Sequence, residues 1–224
     1  MYVLPTLFAL FIGYAQFWSN SVRLTKKKLR GKIYSLSAGV SITYLLLELF
    51  PFFTEQALWI HRLLFLAVLI GFSAHHLIEK ETYLHHSRHG IIKALSMEEN
   101  IFSYIYHIIL GIILATFTQA SLVRGIIFLI PIVFFTLASS LPMHVHKSKK
   151  KSLLLSTGTL VGVIIATFIP INNIIQAILI GLIIGILLFT ITRHHIPFGK
   201  HGKPSYFLFG FVVYALIIIA SWYV

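Results

Sequence analysis

Residues 174–192 read IIQAILIGLIIGILLFTIT and contain no ionisable side chain. A helix that crosses the hydrocarbon core of a bilayer needs about 20 mainly apolar residues, so this run is long enough for one crossing. The rest of the chain has the same character. Of its 224 residues 58% are hydrophobic and only 11% are charged, and its mean hydropathy is +0.89. This composition excludes a soluble fold and predicts an integral membrane protein.

Seven further apolar segments accompany this run, with short polar connections between them. Together the segments predict helices over residues 2–18, 33–53, 63–80, 101–118, 122–141, 153–169, 174–192 and 205–223. The first segment lacks the basic start and the cleavage site of a secretory signal, so we expect it to be retained. The sequence predicts an all-α, polytopic protein with eight transmembrane helices. It would form a single transmembrane domain over residues 1–224, multi-pass in the cell or plasma membrane, with the lipid bilayer as its main partner.

The basic residues alternate between successive connections. Sixteen of the eighteen Lys and Arg residues lie in or at the edges of the first, third, fifth and seventh connections, whereas only Arg62 and Arg124 lie in or near the even-numbered ones. Lys and Arg collect on the cytoplasmic side because their translocation is disfavoured. We therefore expect both termini to be extracytoplasmic. Topology and contact with anionic lipid then explain the net charge of +12, and no nucleic-acid partner is expected.

Two amino acids are missing from the chain. There is no Cys, and all six acidic residues are Glu. The first absence excludes disulfides, thiolate nucleophiles and Cys-based zinc or iron–sulfur sites. The absence of Asp excludes aspartyl proteases and Ser-His-Asp triads.

Glu48 and His107 are the ionisable residues expected to be most costly in lipid. Glu48 lies in the apolar sequence YLLLELFP, about one helical turn before Pro51, and His107 lies six residues into the fourth segment. A charged group that persists at this depth normally faces the bundle interior and has a partner. Glu48 could reach water at the outer interface, and His107 could hydrogen-bond a neighbouring carbonyl. Alternatively, both are metal ligands or proton carriers and become partners in one cavity.

A second set of candidate ligands lies near the end of the third segment. His75 and Glu79 are four residues apart and share a helix face, which suits a mutual hydrogen bond or two ligands to one metal. His85, His86 and His89 follow in the third connection, which we expect to be a cytoplasmic loop. Short histidine-rich tracts can bind late first-row metals weakly and reversibly, so these three are candidates for metal contact.

Small residues recur at close-packing intervals in two segments. Gly158 and Gly162 are four apart in the sixth segment, as are Gly181 and Gly185 in the seventh. Such pairs predict tight helix crossings, and glycine-rich faces also allow a homodimer. Pro131 lies in the middle of the fifth segment, where it frees a backbone carbonyl and is expected to bend the helix.

Ten of the twelve histidines lie at or beyond the cytoplasmic ends of the odd-numbered segments. This pattern admits two functional classes, a transporter whose cytoplasmic loops receive metal and a membrane enzyme whose histidine boxes hold two irons. The boxes of membrane di-iron enzymes read HxxxH and HxxHH. This chain has HHSRH at 85–89 and HVH at 144–146. Because HHSRH reverses the order of HxxHH and HVH matches neither box, the sequence favours a protein that is not an enzyme.

Several segments resemble the ZIP (zinc/iron permease) metal transporters. Residues 37–51, SAGVSITYLLLELFP, resemble the second-helix signature of that family, and residues 77–80, LIEK, resemble the Glu-terminated end of its third helix. The sequence YHIILG at 106–111 falls where the fourth helix of the family has His-Asn/Ser-x-x-Asp-Gly. Pro131 falls at the proline of the fifth-helix motif. Eight spans with both termini outside are also the ZIP arrangement.

The metal ligands of the family are largely missing from these positions. In the fourth helix Gly111 matches, but the first His is replaced by Tyr106, the Asn/Ser by His107 and the Asp by Leu110. Around Pro131 the ligand positions are all apolar: Phe128, Leu129, Ile132 and Val133. The binuclear metal centre of the family therefore cannot be assembled from this chain.

The resemblance implies a ZIP-like bundle with a midplane site among helices two, four, five and seven, and alternating access by movement of one helix group against another. On this basis we expect a divalent metal ion such as zinc, as substrate rather than cofactor, to move into the cytoplasm. His107 and Glu48 would bind or couple the ion, and His85, His86 and His89 would relay it. The rival expectation is a protein that kept the fold but does not transport metal and acts as a membrane partner protein.

Overall fold

The computed structural model describes residues 2–21, 27–85, 88–139, 149–195 and 202–223. Every secondary-structure element within these ranges is helical. In chain order the α-helices are α1 (Val3–Ser21), α2 (Lys27–Tyr44), α3 (Phe50–Ile60), α4 (Phe65–His85), α5 (Arg88–Ala120), α6 (Leu122–Ser139), α7 (Lys149–Ser156), α8 (Gly158–Phe168), α9 (Asn173–Thr190) and α10 (Pro204–Ser221). They are joined or extended by two π-helical segments, Leu45–Leu49 and Ile191–His195, and by the 3-10 turn Arg62–Leu64.

Each of the eight segments expected from the sequence coincides with helix in the structure. Within the described residues, five helical stretches are long and apolar enough to cross a membrane: Leu29–Ile60, Asn100–Ala120, Lys149–Phe168, Asn173–Arg193 and Pro204–Ser221. The third and fifth segments correspond to two shorter apolar stretches, Arg62–Leu77 and Leu122–Ala138. The chain is therefore all-helical, with several helices able to span a bilayer.

The second segment belongs to one long helical run formed by α2, the π segment Leu45–Leu49 and α3. At the end of the π segment the amide of Phe50 donates to the carbonyl of Leu45, one residue further back than in an α-helix. Pro51 comes next, in the first turn of α3, where a residue without an amide hydrogen is tolerated. The run therefore continues past Pro51 to Ile60, and Glu48 lies on the π turn.

The third connection is much shorter than expected. α4 continues to His85 and α5 begins at Arg88, so the expectation that residues 81–100, with His85 and His89, form a loop was wrong. Residues 91–99 contain good helix formers and no proline, which allows the backbone to keep its hydrogen bonds within the helix beyond the apolar segment. Hydropathy marks where apolar side chains end. It does not mark where a helix ends.

Glycines bring α5 and α8 into close parallel contact. A Cβ on Gly162 would lie 2.0 Å from the carbonyl oxygen of Ile108, and one on Gly158 would lie 3.0 Å from the Cβ of His107. From the opposite side, a Cβ on Gly111 would lie 2.1 Å from the carbonyl oxygen of Thr159. Only glycine permits this approach of the two backbones, which maximises van der Waals contact in an apolar environment.

The α4–α9 pair is built in the same way. A Cβ on Gly185 would lie 2.1 Å from the carbonyl oxygen of Val68, and one on Gly71 would lie 2.3 Å from that of Leu182. Gly181 faces the side chain of Ala67. The glycines of α8 and α9 are therefore used for packing within the chain, whereas the homodimer stays a prediction.

Helices α2 and α10 form a third parallel pair. The ammonium of Lys32 lies 4.9 Å from the ring centre of Tyr206 near one end, and the carboxylate of Glu48 contacts Trp222 near the other. Between these contacts α10 passes close to Gly39. Because the residue numbers rise together on both helices, α2 and α10 run in the same direction.

The central helix α6 runs antiparallel to α2 and to α5. Against α2, the hydroxyl of Ser37 donates to the carbonyl of Phe134, and the ring of Tyr44 packs edge-on against Phe128. Against α5, Phe117 packs on the same Phe128 ring, near the start of α6, whereas earlier residues of α5 meet the last turns of α6. α6 also contacts α1, so it lies at the centre of the bundle.

The contacts divide the helices into two groups. α1, α5, α6, α7 and α8 contact one another, whereas α10 packs on α2 and α9 packs on both α3 and α4. The groups meet where α2 lies against α6 and where α5 lies against α9 and α4. Most polar side chains that are buried within the described residues belong to the first group or to the face of α2 that meets α6.

Candidate functional site

His107 is the most deeply buried ionisable side chain among the candidate residues. It lies in the interior part of α5, is 1% exposed, and packs between Tyr106 and Gly158. Its Nδ1 lies 2.6 Å from the backbone carbonyl oxygen of Ser103, one turn earlier in the helix. Since a carbonyl can only accept, Nδ1 carries the proton, and in the neutral ring the lone pair lies on Nε2.

The lone pair of His107 points towards α6. Its Nε2 is 3.4 Å from the hydroxyl oxygen of Thr136, a side chain that is fully buried. The hydroxyl can donate to the ring or, by rotating, present its own oxygen to a third species. The pair therefore forms a small polar site between α5 and α6, surrounded by apolar core residues such as Leu110 and Ile132.

A further polar side chain connects this site to α1. The amide Nε2 of Gln16 lies 3.4 Å from the hydroxyl oxygen of Ser103, and that oxygen is in turn 3.4 Å from Nδ1 of His107. Ser19, on the next turn of α1, donates to the carbonyl of Leu137 on α6 at 2.8 Å. The His107 site is therefore the inner part of a polar interface shared by α1, α5 and α6.

Glu48 lies elsewhere, in the interface between α2, α5, α6 and α10. Its Oε2 accepts a hydrogen bond from the indole Nε1 of Trp222 at 3.3 Å, and the residue is half-buried. It lines a narrow crevice whose walls include Phe117. Phe117 follows His107 by ten residues along α5, which corresponds to about 15 Å along the axis at the usual helical rise. The structure therefore does not bring Glu48 and His107 together as partners.

The crevice beside Glu48 contains a second charged group. The guanidinium of Arg124, at the start of α6, lies over the rings of Phe52 and Phe117, 4.8 and 5.9 Å from their centres. Tyr44, Leu49 and these two rings complete the walls. Arginine is suited to this position because its planar, weakly hydrated cation stacks on aromatic faces. The crevice thus has a carboxylate, a cation and an aromatic lining.

Pro131 lies within α6 without ending it. A proline removes the helical hydrogen bond to the carbonyl four residues earlier, which is Ile127. The phenolic hydroxyl of Tyr214 on α10 donates a hydrogen bond to that carbonyl. The backbone group freed by Pro131 is therefore satisfied from a neighbouring helix, as the absence of water from a bilayer core requires.

The second set of predicted ligands is only partly described. The half-buried ring of His75 lies among aromatic side chains, with ring centres 5.1 Å from Phe102 and 5.6 Å from Phe189. The side chains of Glu79, His85 and His89, and all of His86, lie outside the described residues. In the part of the chain whose side chains are described, no three His, Cys, Asp or Glu residues gather as a metal site would require.

Sequence reasoning missed Tyr214, Arg124 and the polar face of α1. The first segment ends with three polar residues, Gln16, Ser19 and Asn20. Hydropathy alone treats them as the boundary of a span, but in the structure all three are buried. A polar cluster at the end of an expected span was the available signal for α1. Nothing in the local sequence around Tyr214 indicates that its hydroxyl reaches a proline-freed carbonyl on another helix.

The chain matches no protein-family model and no curated protein sequence. The resemblance to ZIP transporters therefore depends on the residues quoted from the second, third, fourth and fifth segments.

Proposed function

We propose that this chain is a ZIP-like membrane transporter that moves a divalent transition-metal ion such as zinc into the cytoplasm. It would cross the bilayer eight times, with both termini outside. The single observation that carries the proposal is His107, an imidazole buried at 1% exposure in the bundle interior with its Nε2 directed at Thr136. An ionisable residue retained within a membrane helix bundle is expected to serve a substrate or a proton.

The relative directions of the helices support eight crossings. The second and eighth expected spans, α2 and α10, are parallel, as are the fourth and sixth, α5 and α8. The fifth span, α6, is antiparallel to the second and fourth. Alternate crossing requires this pattern, in which two even-numbered spans agree in direction and an odd-numbered span opposes them.

The chemistry of the site favours weak and transient binding. Nε2 of His107 supplies one strong nitrogen ligand of the kind that zinc and its neighbours prefer, and the Thr136 hydroxyl supplies one neutral oxygen. Two such ligands leave further coordination positions of the ion, which water could fill. Such a site releases its ion readily, which suits passage down a gradient.

Uptake into proteoliposomes tests this proposal. Zinc, cadmium, iron and manganese uptake should be compared for the intact chain, for His107→Gln and for His61→Ala. His61 is the matched control because it is an exposed histidine at the turn between α3 and α4. We expect His107→Gln to lower zinc uptake by about tenfold or more, as the loss of ~1.4 kcal/mol of binding would do. Unchanged uptake in a folded His107→Gln protein would remove His107 from the transport site.

The absence of a ligand cluster among the described side chains favours a second candidate function, a protein that kept this bundle without metal transport. Two of the apolar residues at ZIP ligand positions, Phe128 and Ile132, are fully buried in the core. No uptake of any of the four cations by a folded, reconstituted protein would support this candidate and reject the first.

A further inference from the structure

Three polar side chains at one end of the bundle are buried without protein partners for all of their atoms. The structure gives no hydrogen bond to Oε1 of Gln16, to either side-chain polar atom of Asn20, or to the hydroxyl of Ser152. These residues are 1%, 2% and 2% exposed. A buried polar atom without a hydrogen bond costs free energy in any protein, and more so where lipid replaces water. Three such residues on the contacting helices α1 and α7 indicate that something else satisfies them.

The three residues face the same interior region. Gln16 and Asn20 are four apart on α1, so they share one helix face. Ser152 lies one turn before Ser156 on α7, whose carbonyl oxygen would be 2.5 Å from a Cβ on Gly13 of α1. α1 and α7 are therefore in backbone contact one turn away from Gln16. The region lies at the end of the bundle where α1 and α6 end, and where α7 and the apolar part of α5, Asn100–Ala120, begin.

The unpaired atoms determine the chemistry of the occupant. Asn20 leaves both a donor, Nδ2, and an acceptor, Oδ1, without a partner. A metal cation would satisfy the oxygens but repel the amide N–H groups, and a lipid chain would satisfy neither. Water donates and accepts, and buried water typically makes about three hydrogen bonds to groups of this kind.

We propose that Gln16, Asn20 and Ser152 enclose a file of ordered water that enters the bundle at this end and reaches His107. The connection runs through Ser103, whose hydroxyl lies 3.4 Å from Gln16 Nε2 and 3.4 Å from His107 Nδ1. By the distribution of Lys and Arg this is the cytoplasmic end, and the exposed Lys150 and Lys151 lie beside Ser152 in α7. The use of the water as an exit path for an ion depends on the proposed transport function. The hydration itself does not.

Single-cysteine accessibility tests the water file directly, because the natural chain contains no Cys that would have to be removed. Ser152→Cys is nearly isosteric, and Leu155→Cys is its matched control, a 4% exposed apolar position one turn along the same face of α7. Protein in nanodiscs, which expose both membrane faces, is treated with silver ion, a thiol reagent of nearly atomic size. The thiols left unmodified are then counted with a maleimide after denaturation.

We expect Ser152→Cys and Asn20→Cys to react at least about tenfold faster than Leu155→Cys, because a dry buried thiol reacts only when the helix opens locally. Thr136→Cys, beside Nε2 of His107, should also react faster than Leu155→Cys. Equal and slow reaction at positions 152, 20 and 155 would overturn the proposal. A fast reaction at 152 and 20 with a slow one at 136 would overturn the connection to His107. Because modification is measured without transport, a hydrated but inactive protein would reject the transport proposal alone.

Discussion

The hydroxyl of Tyr214 donates a hydrogen bond to the carbonyl of Ile127, the group that Pro131 leaves without a donor in its own helix. The two residues lie on α10 and α6, and Tyr214 is almost fully buried. The bond therefore couples a proline in the centre of the bundle to a helix at its edge, and it explains how α6 tolerates the proline in an apolar setting.

We expect Tyr214→Phe to destabilise the protein by about 1–3 kcal/mol, because the carbonyl of Ile127 then has no donor. Pro131→Ala restores an amide hydrogen to that carbonyl, so the same tyrosine substitution should cost clearly less in the Pro131→Ala background. Chemical unfolding of the four proteins in detergent measures the coupling. An equal cost in both backgrounds would show that the tyrosine acts only through packing.

The contact between α5 and α8 predicts a difference between two glycines on one helix. Gly162→Ala places a methyl group 2.0 Å from the backbone oxygen of Ile108, which cannot move without separating the helices. Gly158→Ala meets the His107 Cβ at 3.0 Å, a milder overlap. We expect Gly162→Ala to cost about 1–3 kcal/mol through overpacking and Gly158→Ala less, as measured by thermal unfolding in detergent. The reverse order would contradict the described contact.

Trp222 can report directly on Glu48, since its indole donates to that carboxylate. The chain has two other tryptophans, Trp18 and Trp59, and both are exposed. In a Trp18→Phe, Trp59→Phe protein, zinc binding at Glu48 should change the emission of Trp222, and Glu48→Gln should abolish the change. His61→Ala serves as the matched control. If zinc leaves the emission unaltered while uptake is intact, Glu48 is not a ligand on the entry route.

Arg124 should not be replaceable by lysine. Its guanidinium stacks over Phe52 and Phe117, and an ammonium group lacks the planar surface for this contact. We expect Arg124→Lys to destabilise the protein by about 0.5–2 kcal/mol, and by less when Phe52 is already replaced by Leu. Arg62→Lys, at an exposed position in the 3-10 turn between α3 and α4, should have little effect. If Arg124→Lys lowers the free energy of unfolding equally in the Phe52→Leu protein, Arg124 does not stabilise the protein through its contact with Phe52.

The membrane topology of the chain can be tested at two exposed positions. Lys149 lies at the start of α7, and Tyr223 lies just beyond the end of α10. If the chain crosses the membrane eight times, cysteines introduced at these two positions lie on opposite sides of it. In sealed vesicles a membrane-impermeant maleimide should label only one of the two, and the other only after permeabilisation. Labelling of both from the same side would refute the proposed topology and, with it, the direction of transport.

Hydropathy predicted the positions of the helices well. The segment 174–192 corresponds to α9 within a few residues, and 205–223 to α10, because a run of apolar side chains is a local property of the sequence. It failed between His85 and Asn100, where the helix continues beyond the apolar run. The sequence also gave no sign of the π turn at Glu48, which depends on how α2 meets its neighbours.

The site was less predictable than the fold. The sequence singled out Glu48 and His107 as ionisable residues in apolar segments and allowed them to share one cavity. In the structure Glu48 binds Trp222, 174 residues away, while His107 faces Thr136 on α6. A single sequence does not specify which helices become neighbours, so it could not separate these two environments.

By itself, then, the sequence determined that this chain belongs in a membrane, where its helices lie and which side chains are unusual there, because hydrophobicity and charge act locally along the chain. The tertiary structure alone decided that Tyr214 satisfies the carbonyl freed by Pro131 and that polar residues of α1 contact α5 and α6 beside His107. Those relationships join side chains far apart in sequence. They arise because every buried polar group in an apolar bundle must find its partner on whichever helix packs beside it.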